Sequence, residues 1–201
     1  MAWEQLSLFT DEELGIRKGY DLIGLTGYAQ SGKDTVAQFL VNKYGYRRIA
    51  FADKIRDFLY DLNPQIKVGY DGVSNIRILV DNDGWDTTKQ IPQVRQLLQD
   101  IGVSARNIFG ENFWVDQALE SIKPGEKVVV TDVRFNNEAD HVKLMGGQIW
   151  RIRRPGVTSV NSHISETQMD GYKVDQIFLN SGSLDELEVL LKTRMQNAFT
   201  K

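Results

Sequence analysis

The nine residues Gly27-Tyr28-Ala29-Gln30-Ser31-Gly32-Lys33-Asp34-Thr35 constrain this chain more than any other stretch. Apolar Leu22-Ile23-Gly24-Leu25 leads in, and Ala37, Leu40 and Val41 follow at helical spacing, so the stretch reads as strand, glycine loop, helix. Gly27 and Gly32 leave room for backbone N–H groups to turn inward around an anion, Lys33 adds a positive charge, and the helix start adds its partial charge. The pattern predicts a phosphate-binding loop, with Gly27, Gln30, Ser31, Gly32, Lys33, Asp34 and Thr35 around the ligand.

A chain of 201 residues, 41% hydrophobic and 25% charged, is long enough to bury one α/β core. It has no cysteine, which removes disulfides and thiolate-held metal and suits a reducing cytoplasm. The first residues lack a basic-then-apolar secretion signal, and no apolar run approaches the roughly 20 residues that span a bilayer. The expectation is a cytoplasmic protein without a membrane partner. A net charge of −3 argues against direct nucleic-acid binding, yet leaves room for a basic pocket that takes a small phosphorylated ligand.

Residues 1–20 read as an extension. Within it Gln5-Leu6-Ser7-Leu8-Phe9 resembles the short peptides by which bacterial replication proteins dock on the sliding clamp, with Gln5, Leu6, Leu8 and Phe9 as anchors. The alternative is that Leu6 and Phe9 pack on the protein's own surface. From residue 21 to 201 a single domain is expected. Strands are predicted near 21–26, 48–51, 127–131, 148–153 and 176–179. Helices are predicted near 34–44, 53–62, from Pro92 to about Gly102, 113–122, through Val142 to Met145 with Gly146-Gly147 ending it, and 184–195, the last begun by a Ser183 cap. Residues 65–90 are polar and lack sustained periodicity, so an insertion or mobile loop is expected there; 155–175 reads as a lid-like polar loop. Strands alternating with helices imply an α/β fold, a doubly wound parallel sheet.

Several residues outside the loop carry chemistry. Where the usual motif has Ser or Thr after the lysine, this chain has Asp34, with the hydroxyl one residue later at Thr35. A carboxylate beside bound phosphates suggests an intervening metal ion, although an acid in a first helical turn also suits the helix dipole. Asp132 follows an apolar strand, where a doubly wound sheet opens its ligand crevice, and can orient magnesium or its waters; its other reading is a turn former. Asp34, Thr35 and Asp132 are thus the metal candidates. Arg134 and Glu138 follow in the same loop, and Arg151, Arg153, Arg154 and His163 cluster around the later one. Such cations suit phosphoryl transfer, where positioning and charge neutralisation do most of the work. Arg151, Arg153 and Arg154 cannot all reach one phosphate, so at least one of them is expected to be structural.

With those residues in place, the chain resembles the phage deoxynucleoside monophosphate kinases, a branch of the phosphate-loop nucleoside monophosphate kinases. The matching segments are Ser31-Gly32-Lys33-Asp34-Thr35, Ala52-Asp53-Lys54-Ile55-Arg56, Arg95 to Gln99 with Gly102, and Phe113-Trp114-Val115. Thr131-Asp132-Val133-Arg134 with Glu138, and Arg154-Pro155-Gly156 with His163 and Glu166, complete the ordered set over about residues 21–195. Where some family members carry a basic residue inside the glycine loop, this chain has Ala29 or Gln30. The resemblance implies that the glycine loop binds ATP with Mg²⁺, and that Arg56, Arg95, Gly102, Trp114 and Glu138 serve the acceptor nucleotide. It casts Lys33, Asp132, Arg134 and Arg154 as catalytic. Trp114 offers a flat face for a base, or else packs in a core beside Phe113 and Val115. A homodimer is left open. Two rivals share the motif: another small-molecule kinase, such as one acting on dephospho-coenzyme A, and a non-catalytic nucleotide-binding replication accessory.

Overall fold

The computed structural model describes residues 21–158 and 168–199, with side chains as far as Met195. Gln5, Leu6, Leu8, Phe9, His163 and Glu166 lie outside the described residues. The described chain forms two compact units, one comprising the residues up to Ala50 and from Glu120 onward, the other Phe51–Leu119.

The first unit contains a five-stranded sheet. Its strands are β1 (Leu22–Thr26), β2 (Arg47–Ile49), β5 (Val128–Val130), β6 (Gln148–Arg153) and β7 (Gln176–Leu179), in the order β2-β5-β1-β6-β7. Every neighbouring pair runs parallel, as the strand–helix alternation predicts. All five residues of β1 and all three of β5 are buried, which is why both read as unbroken apolar runs. Helices α1 (Lys33–Tyr44), α6 (Asn136–Leu144) and α7 (Leu184–Phe199) belong to this unit. Ile23 and Leu25 of β1 join Val36 and Leu40 of α1 and Leu187 and Leu191 of α7 in one apolar cluster around the fully buried Trp150. Gly24 points to the opposite face, since successive strand residues alternate. A Cβ there would come within 2.8 Å of Ile149 Cδ1 and 2.9 Å of Val133 Cγ2, so the missing side chain makes room for these two, beneath Val142 of α6. The sheet is thus covered on both faces. At the start of α7, Ser183 Oγ accepts the Glu186 N–H at 3.3 Å and Glu186 Oε2 accepts the Ser183 N–H at 2.8 Å, a reciprocal cap.

The second unit comprises α2 (Phe51–Leu62), β3 (Gln65–Val68), β4 (Gly72–Asn75), α3 (Ile76–Thr88), α4 (Pro92–Phe109) and α5 (Phe113–Leu119). Its core is built from Leu59, Ile66, Ile76, Leu79 and Val94, with Trp85, Leu97 and Leu98 packed against it. Residues 65–90 are therefore structured, contrary to the loop expected there. β3 and β4 form an antiparallel hairpin turning at Gly69, whose φ of 66° glycine adopts freely, and α3 follows directly. Helix α4 runs past Gly102 to Phe109, because the glycine serves a close approach: a Cβ would lie 3.3 Å from Ile55 Cδ1. The helix ends instead at Gly110, with φ 106°. Residue Phe51 opens α2 rather than closing β2, and the helix to which Val142 belongs, α6, starts at Asn136.

Candidate active site

All parallel strands of the first unit end at the same edge, and that edge is where polar side chains collect. β1 delivers Gly27 at φ 139°; a Cβ there would stand 2.3 Å from the Ile152 carbonyl oxygen, so the loop lies directly against β6. Gln30 adopts a left-handed φ of 62°, and the Ser31 N–H closes a turn onto the Tyr28 carbonyl at 3.2 Å. Gly32, φ 102°, stands at the N-cap of α1 without a side-chain cap. Glycine supplies no side-chain acceptor of its own to the first turn, the end of a helix that favours an anion. Lys33 Nζ folds back over the loop, donating to the Gly27 carbonyl at 2.6 Å and the Tyr28 carbonyl at 2.7 Å.

Around this loop lies a cleft of about 230 Å³. Five cationic residues line it, Lys33, Arg134, Arg151, Arg153 and Arg154, against the two carboxylates Asp132 and Asp170. The excess of positive charge in a partly enclosed space suits a polyphosphate. Asp132 is held from both sides of its strand end: the Thr131 N–H donates to the Ile49 carbonyl at 3.0 Å and the Val133 N–H to the Leu25 carbonyl at 3.1 Å. Ser31, only 1% exposed, also lines the cleft, and its hydroxyl has no hydrogen-bond partner among the described residues.

Asp34 and Thr35, the other metal candidates, sit on the exposed side of the first turn of α1 and do not line the cleft. Among the described residues no group of three or more His, Cys, Asp or Glu could hold a metal ion by itself. Magnesium does not need one, because it keeps several waters and is held by one or two carboxylates plus substrate phosphates. Asp132 and the unpartnered Ser31 hydroxyl fit such a site.

Arg134 lines the cleft, and its backbone N–H donates to Glu138 Oε2 at 2.7 Å. The Phe135 N–H donates to the same oxygen at 3.0 Å, so the buried Glu138 carboxylate caps α6. Arg151 is the structural arginine of its cluster. It is buried and donates to the carbonyls of Met169, Asp170 and Tyr172, the latter two at 3.2 Å, and its burial lowers its pKa. Arg153 and Arg154 remain exposed to the cleft.

The returning segment that ends in β7 is tied down in several places. Tyr172 Oη donates to Asp140 Oδ1 at 2.7 Å, and burial raises the phenol's pKa above its ordinary value. Lys143 Nζ donates to the Lys173 carbonyl at 2.9 Å, and Asp175 Oδ2 accepts the Ile149 N–H at 2.7 Å. One contact reaches the glycine loop itself: Tyr28 Oη donates to Asp170 Oδ1 at 2.8 Å, which raises the tyrosine's pKa. Sequence reasoning passed over Tyr28, since nothing local to the loop signals a partner 142 residues away.

The residues assigned to the acceptor all belong to the second unit, apart from Glu138. Trp114 is 7% exposed and donates its indole N–H to the Gly102 carbonyl at 3.0 Å, with Phe113 edge-on at 4.9 Å between ring centres. The indole is enclosed as a core side chain and presents no open stacking face. Arg56 NH1 pairs with Asp53 Oδ1 at 2.9 Å, and Arg95 NH2 donates to Gln90 Oε1 at 3.0 Å.

A family model described as deoxynucleotide monophosphate kinase matches residues 65–190. A protein of Acanthamoeba polyphaga mimivirus, provisionally described as a deoxynucleotide monophosphate kinase, is 29% identical over 193 residues, covering 88% of this chain and 97% of its own. The deoxynucleotide monophosphate kinase of Enterobacteria phage T4 is 23% identical, covering 87% of this chain and 98% of its own. Among solved structures, dephospho-CoA kinase from Campylobacter jejuni aligns with a TM-score of 0.43 at 15% identity, over 88% of this chain and 96% of its own. Among the described residues, no helix is long and apolar enough to cross a membrane.

Proposed function

The chain belongs to the deoxynucleotide monophosphate kinase family, and from that premise we propose that it transfers the γ-phosphoryl group of ATP to the phosphate of a deoxynucleoside monophosphate, giving ADP and a deoxynucleoside diphosphate. The observation that carries this reading is the cleft: a glycine loop, a helix start without a side-chain cap, Lys33, Arg134, Arg153 and Arg154 share one cleft with Asp132 at the ends of the strands. Donor phosphates would take up the N–H groups of Gly32 and the first turn of α1. Lys33 would exchange its two neutral carbonyl partners for phosphate oxygens, a stronger, charge-assisted pair. Arg134 and Arg154 then counter the charge that spreads over the moving phosphoryl group.

An acceptor phosphate is already ionised, so no strong general base is required. Asp132 would instead hold magnesium or its waters, and the Ser31 hydroxyl of the same cleft could serve with it. Bound magnesium supplies neutralisation of the donor phosphates' charge and helps to set them in line. Arg56 and Arg95 are the acceptor-phosphate candidates, and Gly102 and Trp114 act by shaping the second unit that carries them. Docking on a sliding clamp through Gln5, Leu6, Leu8 and Phe9, and homodimer formation, are proposals independent of this cleft.

An acceptor panel tests the reading. With ATP and Mg²⁺, ADP release is expected with at least one deoxynucleoside monophosphate. Phosphorylation of dephospho-coenzyme A with none of the monophosphates accepted would transfer the chain to a different kinase class. ATP binding without turnover on any acceptor would favour the accessory role.

A further inference from the structure

β7 ends at Leu179, and the next residue, Asn180, is 6% exposed. Its backbone N–H donates to the Arg153 carbonyl at 2.7 Å, closing the end of β7 onto the end of β6. Its side chain reaches further. Nδ2 donates to the Ser31 carbonyl at 3.0 Å, a buried bond spanning 149 residues of sequence. In a trans peptide the C=O and the next N–H point to opposite sides, and the chain has no cis peptide among its described bonds. A Ser31 carbonyl turned toward Asn180 therefore turns the Gly32 N–H the other way, away from β7. The fit is close: a Cβ on Gly32 would lie 2.4 Å from Asn180 Nδ2, so Gly32 lacks a side chain partly to admit this amide.

We propose that Asn180 is a positioning residue of the donor site, one that fixes the Ser31–Gly32 peptide so that the loop's N–H groups are preset for donor phosphates. The inference rests on the reading of Gly27–Thr35 as the ATP site. A loop whose peptide planes had to be ordered by the ligand would bind more weakly, because the ordering cost would be met at binding. Neither close isostere replaces the amide. Leucine leaves the Ser31 carbonyl buried without a donor, and aspartate sets a carboxylate oxygen against it. The backbone bond to Arg153 survives both substitutions, so the strand end itself should stay in place.

Asn180→Asp and Asn180→Leu are compared with wild type by calorimetric titration with ATP and Mg²⁺, by steady-state kinetics with ATP and an accepted deoxynucleoside monophosphate, and by thermal unfolding. The expected result is an increase in KM and Kd for ATP of about tenfold or more in Asn180→Asp and a smaller one in Asn180→Leu. KM for the monophosphate should stay within about twofold of wild type. Unchanged ATP affinity in both variants overturns the proposal. So does an equal rise in both KM values alongside a lowered Tm, or failure of both variants to fold, since either marks Asn180 as a general core residue. Wild-type protein that binds no ATP removes the donor reading itself, an outcome distinct from any of these.

Discussion

The two compact units use their polar side chains in opposite ways. In the first, loop N–H groups, Lys33, Arg153 and Arg154 face an open cleft, and the helix start beside them lacks a side-chain cap. In the second, the polar groups assigned to the acceptor are engaged with neighbours in the same unit: Trp114 with Gly102, Arg56 with Asp53, Arg95 with Gln90. The difference teaches where each substrate's recognition is prepared. The backbone part of a donor site can be set before ATP arrives, because the loop is fixed at a strand end, while Lys33 still has to exchange loop carbonyls for phosphate. If Arg56 and Arg95 take the acceptor phosphate, it would have to win them from local partners, and part of its binding energy would go into that exchange.

The largest expected effect breaks or upholds the first half of that contrast. Lys33→Ala should lower kcat by about a thousandfold, the size found when a preorganised charge is removed from a transition state. Stability should change far less, by about 1 kcal/mol, because the bonds from Lys33 Nζ to the two loop carbonyls lie in a part-buried loop rather than in the apolar core. Steady-state ADP release and urea unfolding measure the two quantities. Near-normal turnover would mean that the cleft is not where the γ-phosphoryl moves.

The second half is sharpened by Trp114. If the indole is core, Trp114→Ala should cost about 3–5 kcal/mol of stability, and Trp114→Phe, which keeps a ring but loses the N–H donated to Gly102, about 1 kcal/mol. Urea unfolding followed by circular dichroism reads both. Should Trp114→Ala leave stability within about 1 kcal/mol and raise the acceptor KM more than tenfold, the ring is a stacking face and the contrast between the units fails at its centre.

The same contrast explains what the sequence discloses. The glycine loop is nine contiguous residues with a fixed backbone requirement, and β1 and β5 are apolar on both faces, so each is legible from its own residues. The hairpin is not. Ile66 is the sole buried residue of β3, β4 has none, and their pairing is what makes either a strand. Helix α3 hides for a related reason, because Gly84 at φ 72° breaks it and its buried residues are few. Gly102 misleads in another way. Glycine signals a helix stop, but here it admits Ile55, a neighbour 47 positions earlier that local reading cannot see. Around the cleft, the roles of Arg151 and Asn180 depend on partners far away in sequence, and a single sequence assigns such side chains by chemistry alone.

The smallest expected effect concerns the opposite edge of the first unit's sheet, where the strands begin and no cleft residue lies. Arg47 at the start of β2 donates through Nε to Glu126 Oε1 at 2.5 Å and through NH2 to the Ser121 carbonyl at 3.1 Å. The Arg47 hydrogen bonds foremost, with help from the Lys123 N–H, lower the Glu126 pKa from 4.5 to about 2. A carboxyl group whose folded pKa is depressed contributes stability that is complete above its unfolded pKa near 4.5 and disappears as pH falls through about 2. Arg47 is 39% exposed and Glu126 27%, so solvent and salt screen the pair and its contribution should be about 1 kcal/mol or less. Glu126→Gln should therefore flatten the fall in stability between pH 4.5 and 2 and leave KM for both substrates unchanged. Acid titration of the unfolding free energy at low and at high salt measures it. An altered ATP KM would mean that the strand starts communicate with the cleft, and an undiminished acid slope in the variant would place the acid-sensitive carboxylates elsewhere in the chain.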